Sequence, residues 1–219
     1  MTNQTAAGSE PTESHELEGL SSFIYELGHL KRSVRTGWWL AGIDNPETVA
    51  EHSFRTAAIA YLLAALEGAD TGKTVLHAVF HDIAEARTGD IPSVGKAYLK
   101  ENEAPGSIAR HQLEGSPTRI ADDIVALVDT FENPQTIEAQ LARDADKLEC
   151  LAQALEYKAH GHPRADEWVQ GSIDSVGTST GRALAETMKR VEPDGWWKKF
   201  VSSYRGKAVL RDVTTLERT

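Results

Sequence analysis

The string His77-Ala78-Val79-Phe80-His81-Asp82-Ile83-Ala84-Glu85 gathers imidazoles and carboxylates in one short stretch. Wound as a single helix at about 100° per residue, it places His81 and Glu85 about 40° apart, with Asp82 about 100° from His81 at the edge of that face. An adjacent imidazole and carboxylate can reach one cation from neighbouring positions. His52 and Asp146, elsewhere in the chain, are of the same chemical type, and the four together form a mixed nitrogen and oxygen set. Such a set suits Mn, Fe, Co, Ni or Zn and leaves positions for water and substrate. His77 shares the face of His81, so a His77 and His81 pair is a rival ligand set; the plain alternative is a buried His77 with a hydrogen-bond partner.

These side chains must be carried by helices. Leu17, Leu20, Phe23, Ile24, Leu27 and Leu30 recur at helical spacing. Thr36 to Asn45, with Trp38 and Trp39, reads as a loop. Asn45-Pro46-Glu47 is a helix start by capping, proline and acid chemistry, which predicts a second helix from about Pro46 to Leu66 carrying His52. A third, marked by Val75, Leu76, Val79, Phe80 and Ile83, runs to about Arg87, where the turn Thr88-Gly89-Asp90-Ile91-Pro92 ends it. Ile120, Ile124, Leu127, Val128 and Phe131 mark another helix. Leu141, Ala145, Leu148, Leu151 and Leu155 mark a longer one that carries Asp146 and stops at Gly161-His162-Pro163. Asp166 to Ser179 has no clear pattern, whereas Arg182 to Arg190 and Trp196 to Tyr204 read as helical. No alternating strand pair and no internal repeat is visible, so the fold class is all-α. Residues 1 to about 15 are expected to be a disordered leader, 16–205 one helical domain with a C-terminal helical extension, and 206–219 a tail.

The chain has 219 residues, 23 Lys and Arg against 33 Asp and Glu, and a formal charge of −10. One core suffices at this length. The acidic balance disfavours an extended groove for duplex nucleic acid, but a local cation can still hold a small phosphorylated ligand. The single cysteine, Cys150, cannot form an intramolecular disulfide. No apolar run approaches the roughly 20 residues that span a bilayer, and no signal-peptide pattern opens the sequence. A cytoplasmic protein is the expectation.

The motifs fall in an informative order: Ala50-Glu51-His52-Ser53, then His81-Asp82-Ile83-Ala84-Glu85, then Thr88-Gly89-Asp90-Ile91-Pro92, then Asp144-Ala145-Asp146-Lys147. This series resembles the HD-domain phosphohydrolases. Leu30-Lys31-Arg32-Ser33-Val34-Arg35-Thr36-Gly37-Trp38 and Pro46-Glu47-Thr48-Val49-Ala50-Glu51-His52 are similar to the 5'-nucleotidase branch that includes bacterial 5'-deoxynucleotidase and eukaryotic HD domain-containing protein 2.

The resemblance implies an HD-domain helical bundle that removes phosphate from nucleoside 5'-monophosphates. It makes His52, His81, Asp82 and Asp146 the metal ligands. Glu85 becomes the residue that positions or deprotonates the attacking water, and Asp90 assists it or serves a weak second ion, Mg among the candidates, with Glu85. Arg35 matches the arginine that orients the phosphate, and Asp90, Ile91, Pro92 and Ser93 match the stretch lining the nucleotide site, with Trp38 a neighbour of the nucleotide. Deoxyribonucleotide-selective bacterial members have Arg-Trp where Arg35 is followed here by Thr36 and Gly37 before Trp38, which leaves ribo against deoxyribo preference open. The resemblance also admits a homodimer, although no periodicity marks an interface.

The chemistry demands these types of residue in any case. A phosphate monoester dianion repels an anionic nucleophile, so charge must be neutralised and water acidified by a cation, a proton accepted by a group such as Glu85, and the non-bridging oxygens gripped by a guanidinium such as Arg35. Alternative ions and substrates remain open within the same frame: another phosphorylated metabolite, a nucleoside triphosphate, or a binding module without turnover. Cys150 reads as a small buried hydrophobe, and His111, His160 and His162 as surface or turn residues.

Overall fold

Thr48 starts the helix that brings His52 into the molecule. Its hydroxyl accepts from the Glu51 N–H at 3.2 Å, while Glu51 Oε2 accepts from the Thr48 N–H at 2.7 Å, a reciprocal capping box. The start therefore falls at Thr48 and not at the expected Asn45-Pro46-Glu47, because those residues serve another purpose. The Glu47 carbonyl accepts from the Arg35 N–H at 2.9 Å, and Val34 and Thr48 form an isolated antiparallel bridge.

The computed structural model describes residues 10–99 and 104–198. Eleven helices lie wholly within the described residues: α1 (Glu10–Leu27), α2 (Gly37–Leu40), α3 (Val49–Glu67), α4 (Thr71–Phe80), α5 (Glu85–Thr88), α6 (Ser93–Lys96), α7 (Pro105–Gln112), α8 (Thr118–Glu132), α9 (Ile137–Ala159), α10 (Asp166–Asp174) and α11 (Ser179–Met188). Short 3₁₀ turns at Gly28–Lys31 and Pro163–Ala165 complete the regular structure. The fold is all-α, and the single isolated bridge is the only β pairing among the described residues. No described helix is long and apolar enough to cross a membrane.

Helix α9 is the axis of the bundle. It packs against α3, α4, α8, α10 and α11, and Leu141, Leu148 and Leu151 on it are fully buried. Truncating one such leucine to alanine costs about 2–5 kcal/mol. Asp144 on α9 performs a different task. Its carboxylate accepts from the Gly177 and Thr178 N–H groups at 2.7 and 2.8 Å and from the Thr178 hydroxyl at 2.6 Å, tying the segment before α11 to the axis. A second cluster, formed by Phe23, Ile83, Leu113, Ile124, Val125 and Val128, joins α1 to α7 and α8.

The structure departs from the periodicity elsewhere too, and α7 fills a stretch where no helix was expected. Helix α1 begins at Glu10, inside the expected leader. Further along α1, the Gly19 backbone lies so close to Gly115 that a Cβ at Gly19 would collide with it. The segment Thr36 to Asn45 contains the one-turn α2, and the unpatterned Asp166 to Ser179 contains α10. The expected third helix stops at Phe80. His81 Nδ1 bonds the Ala78 carbonyl at 2.7 Å, engaging the group that a continuing helix would offer to the Asp82 N–H. From there the bonds run i to i−3: Ile83 N–H to Phe80, Glu85 N–H to Asp82, Ala86 N–H to Ile83 and Arg87 N–H to Ala84. Gly89, at φ +69°, closes α5 as the turn chemistry predicted. Of the helix expected from Trp196 to Tyr204, the described part reaches Lys198 and is helical from Gly195; the remainder lies outside the described residues.

Candidate metal centre and active site

Three elements deliver the predicted donors around His52. His52 comes from the first turns of α3, His81 and Asp82 from the break after α4, and Asp146 from the middle of α9. His52 Nε2 lies 3.3 Å from His81 Nε2, 3.3 Å from Asp146 Oδ1 and 3.7 Å from Asp82 Oδ2. His81 Nε2 lies 3.0 Å from Asp82 Oδ2. Adjacent ligands on an octahedral ion with bonds of about 2.1 Å stand about 3.0 Å apart, a spacing that His52, His81 and Asp82 approach as one group of close donors, while Asp146 meets His52 in a second group with Cys150.

Both rings are oriented from behind. His81 Nδ1 meets the Ala78 carbonyl, and His52 Nδ1 meets Glu149 Oε2 at 2.5 Å, so the two Nε2 atoms face the centre. Glu149 is fully buried and is itself held by Arg55, whose Nε donates to Oε1 at 2.8 Å. Arg55 continues to Glu156 at 2.8 Å and to Gln153 at 2.6 Å. Lys147 donates to Asp146 Oδ2 at 2.7 Å, leaving Oδ1 toward His52. The sequence reading missed Glu149 and assigned no role to Lys147. Glu149 was detectable, since it follows Asp146 by three residues on a helix and so shares its face.

The electrostatics call for positive charge at the centre. Burial, and after it Arg35, oppose a charged His52 ring, yet bonds to Asp146 and Glu149 prevail and lift it to about 10. Burial likewise opposes the Asp82 and Asp146 charges. His81 and Arg35 nevertheless hold Asp82 well below the carboxylate range, and His52 and Lys147 do the same for Asp146. A divalent cation held by these donors would take the place of the proton on His52.

Beside the donors opens a cavity of about 750 Å³. Arg35, Glu85, Asp90, Trp38 and the Ile91, Pro92, Ser93 stretch line it. Arg35 Nη1 donates to Asp82 Oδ2 at 3.2 Å and Nη2 reaches Cys150 Sγ at 3.4 Å. The i to i−3 winding stacks Asp82 and Glu85 on one side. Burial and then Asp82 push the Glu85 carboxyl up to about 9 against the pull of Arg35. Its Oε2 is buried without a hydrogen-bond partner. Asp90 is already engaged: Oδ2 accepts from the Thr36 N–H at 2.5 Å and the Thr36 hydroxyl at 3.1 Å, while Oδ1 lies 3.8 Å from Arg35. Glu85 and Asp90 join no cluster of three close donors among the described residues.

Trp38 packs edge-on to Tyr157 at 5.2 Å between centroids and tilted against Trp168 at 5.4 Å. Its Nε1–H donates to Glu47 Oε1 at 3.0 Å. His77 stays outside the donor clusters, with Nδ1 on the Leu127 carbonyl at 3.0 Å. Cys150 falls near His52 and Asp146, but burial pushes its thiol up, away from the thiolate.

A family model described as HD domain matches residues 27–189. The 5'-deoxynucleotidase hdd1 of Schizosaccharomyces pombe is 33% identical over 141 residues, covering 62% of this chain and 71% of that protein. The 5'-deoxynucleotidase YGK1 of Saccharomyces cerevisiae is 28% identical over 190 residues, covering 82% and 84%. Among solved structures, a conserved hypothetical protein from Pyrococcus furiosus superposes with a TM-score of 0.65 at 29% identity, covering 77% of this chain and 98% of that one. A "Predicted metal-dependent phosphohydrolase" from Magnetospirillum magnetotacticum gives 0.57 at 26% identity, covering 80% and 96%.

Proposed function

The chain belongs to the HD domain family, and from that premise we propose that it is a metal-dependent 5'-nucleotidase, hydrolysing deoxyribo- and ribonucleoside 5'-monophosphates to nucleoside and phosphate. The observation that supports this reading is the grouping of His52 with His81 and Asp82, and of the same ring with Asp146, beside the Arg35 guanidinium at the wall of a cavity. The relatives named 5'-deoxynucleotidase support the substrate class.

The four residues would hold a transition-metal dication, Mn, Fe, Co, Ni or Zn. When bound, such an ion supplies positive charge to a phosphoryl oxygen and acidifies water. Arg35 grips the non-bridging oxygens with the planar fork that matches them. Glu85, buried beside Asp82 with a free oxygen, would accept the proton of the attacking water once a bound cation offsets the Asp82 charge that helps raise it. Asp90 keeps Arg35 in place by fastening the next residue, Thr36. Lys147 keeps Asp146 turned so that a single oxygen faces the centre. Ile91, Pro92, Ser93 and Trp38 wall the nucleoside side of the cavity.

The test is release of orthophosphate from a panel of ribo- and deoxyribonucleoside monophosphates after chelation and re-addition of Mn, Co or Mg. No metal-dependent release from any of them overturns the reading, and tripolyphosphate from nucleoside triphosphates redirects it to another hydrolase of the family. Fractionation tests the cytoplasmic location that belongs to this proposal, and light scattering tests the homodimer.

A further inference from the structure

Helix α10 and the turn before it lay one face along the cavity. Arg164, Glu167, Trp168, Gly171, Ser172 and Ser175 line it at intervals of three and four residues, the repeat of a single helical stripe. The helix runs back along α9. It starts just after α9 ends at Ala159, and beyond its far end Gly177 and Thr178 are tied to Asp144. The serine end of the stripe therefore lies beside Asp146, Lys147 and Cys150, which line the same cavity, and Arg164 and Glu167 stand at the opposite end. At 1.5 Å per residue the stripe is about 16 Å long.

Its chemistry changes along that length in the order of the parts of a nucleotide. Gly171, Ser172 and Ser175 leave room near the donors, and Trp168 supplies an aromatic surface midway. Arg164 and Glu167 are exposed, opposite in charge and three residues apart, yet they pair neither with each other nor with another described residue. An acid and a base on one wall that do not neutralise each other leave both free for a ligand.

We propose that Glu167 and Arg164 read the edge of the nucleobase and that the base they fit is guanine; this rests on the 5'-nucleotidase reading of the same cavity. A carboxylate binds in two-pronged fashion where neighbouring nitrogens both carry hydrogens. Guanine offers N1–H and N2–H in that arrangement and also presents O6 and N7, the usual acceptors for arginine. Adenine, cytosine and thymine offer a carboxylate no such neighbouring pair.

The experiment compares kcat/KM for dGMP, dAMP, dCMP, dTMP and dIMP, the last lacking the 2-amino group, with 2-deoxyribose 5-phosphate as a base-free reference on the same preparation. The expected result is an advantage of dGMP over dIMP and dAMP of about tenfold, expressed in KM. Glu167→Ala removes that advantage, and Arg164→Ala lowers dGMP and dIMP alike relative to the sugar phosphate. Equal use of all bases by the native chain, or an advantage that survives Glu167→Ala, overturns the inference while the nucleotidase reading stands. No phosphate from any compound, the sugar phosphate included, overturns the nucleotidase reading and this inference with it.

Discussion

Replacing Glu149 by alanine tests whether the side chain behind His52 sets metal affinity. The carboxylate is fully buried, accepts from His52 Nδ1 at 2.5 Å and is held by Arg55. Its loss frees the His52 ring to rotate and change tautomer, and removal of such a partner costs about 10–100-fold in metal affinity. A ligand present at 100 times its Kd stabilises by about 2.7 kcal/mol. If Kd rises 100-fold at the same metal concentration, that gain falls to about 0.4 kcal/mol. At roughly 2–4 °C per kcal/mol for a chain of this size, metal raises the native Tm by about 5–10 °C and that of Glu149→Ala by about 1 °C. Thermal melts with and without Mn read this directly, and chelator competition gives Kd. Leu148→Ala is the control: its neighbour on α9 is equally buried, so it lowers the metal-free Tm but keeps the metal-induced rise. A full rise in Glu149→Ala, or an equal loss in Leu148→Ala, refutes the reasoning.

Glu85→Ala should retain metal, measured by elemental analysis, while turnover falls by about 10²–10⁴-fold as expected for loss of a proton acceptor. Arg35→Lys should raise KM for nucleotide and lower kcat as Arg35→Ala does, because an ammonium cannot reproduce the two-pronged grip; steady-state kinetics decide. Metal binding at pH 8 should release a proton from His52, whose raised value of about 10 keeps it charged in the metal-free chain, seen as a dependence of calorimetric heat on buffer ionisation. The same shift stabilises the metal-free chain fully below the ordinary histidine value of 6.5 and is lost as pH rises through about 10; the raised Glu85, at about 9, withdraws its share between 4.5 and 9. Urea melts of chelated protein should therefore show stability falling across that alkaline range.

The candidate donors were legible because residue type offered His52, His81, Asp82 and Asp146 as nitrogen and oxygen donors, and the order of the motifs, through the resemblance, assigned them to one site. The supports were harder to read. Glu149 looks like any surface acid until α9 buries it against His52 and Arg55. Helical periodicity put Glu85 with His81 because it assumes one winding throughout, whereas the bond from His81 to Ala78 breaks α4 and sets Glu85 beside Asp82. Helix α10 gave no apolar pattern because one of its faces lines a cavity and carries Glu167, Gly171, Ser172 and Ser175 in place of core residues. The close approach of α1 to Gly115 at Gly19 joins residues distant in sequence, which no local pattern encodes.

The tight winding from Phe80 to Arg87 also limits transplantation. The Glu85 N–H to Asp82 bond draws these two residues toward one side, where an ordinary helix would leave them about 60° apart. Grafting His81, Asp82 and Glu85 onto an uninterrupted helical scaffold would reproduce the spelling of the motif and misaim its last acid, so a working graft has to import the overwound turn together with the letters.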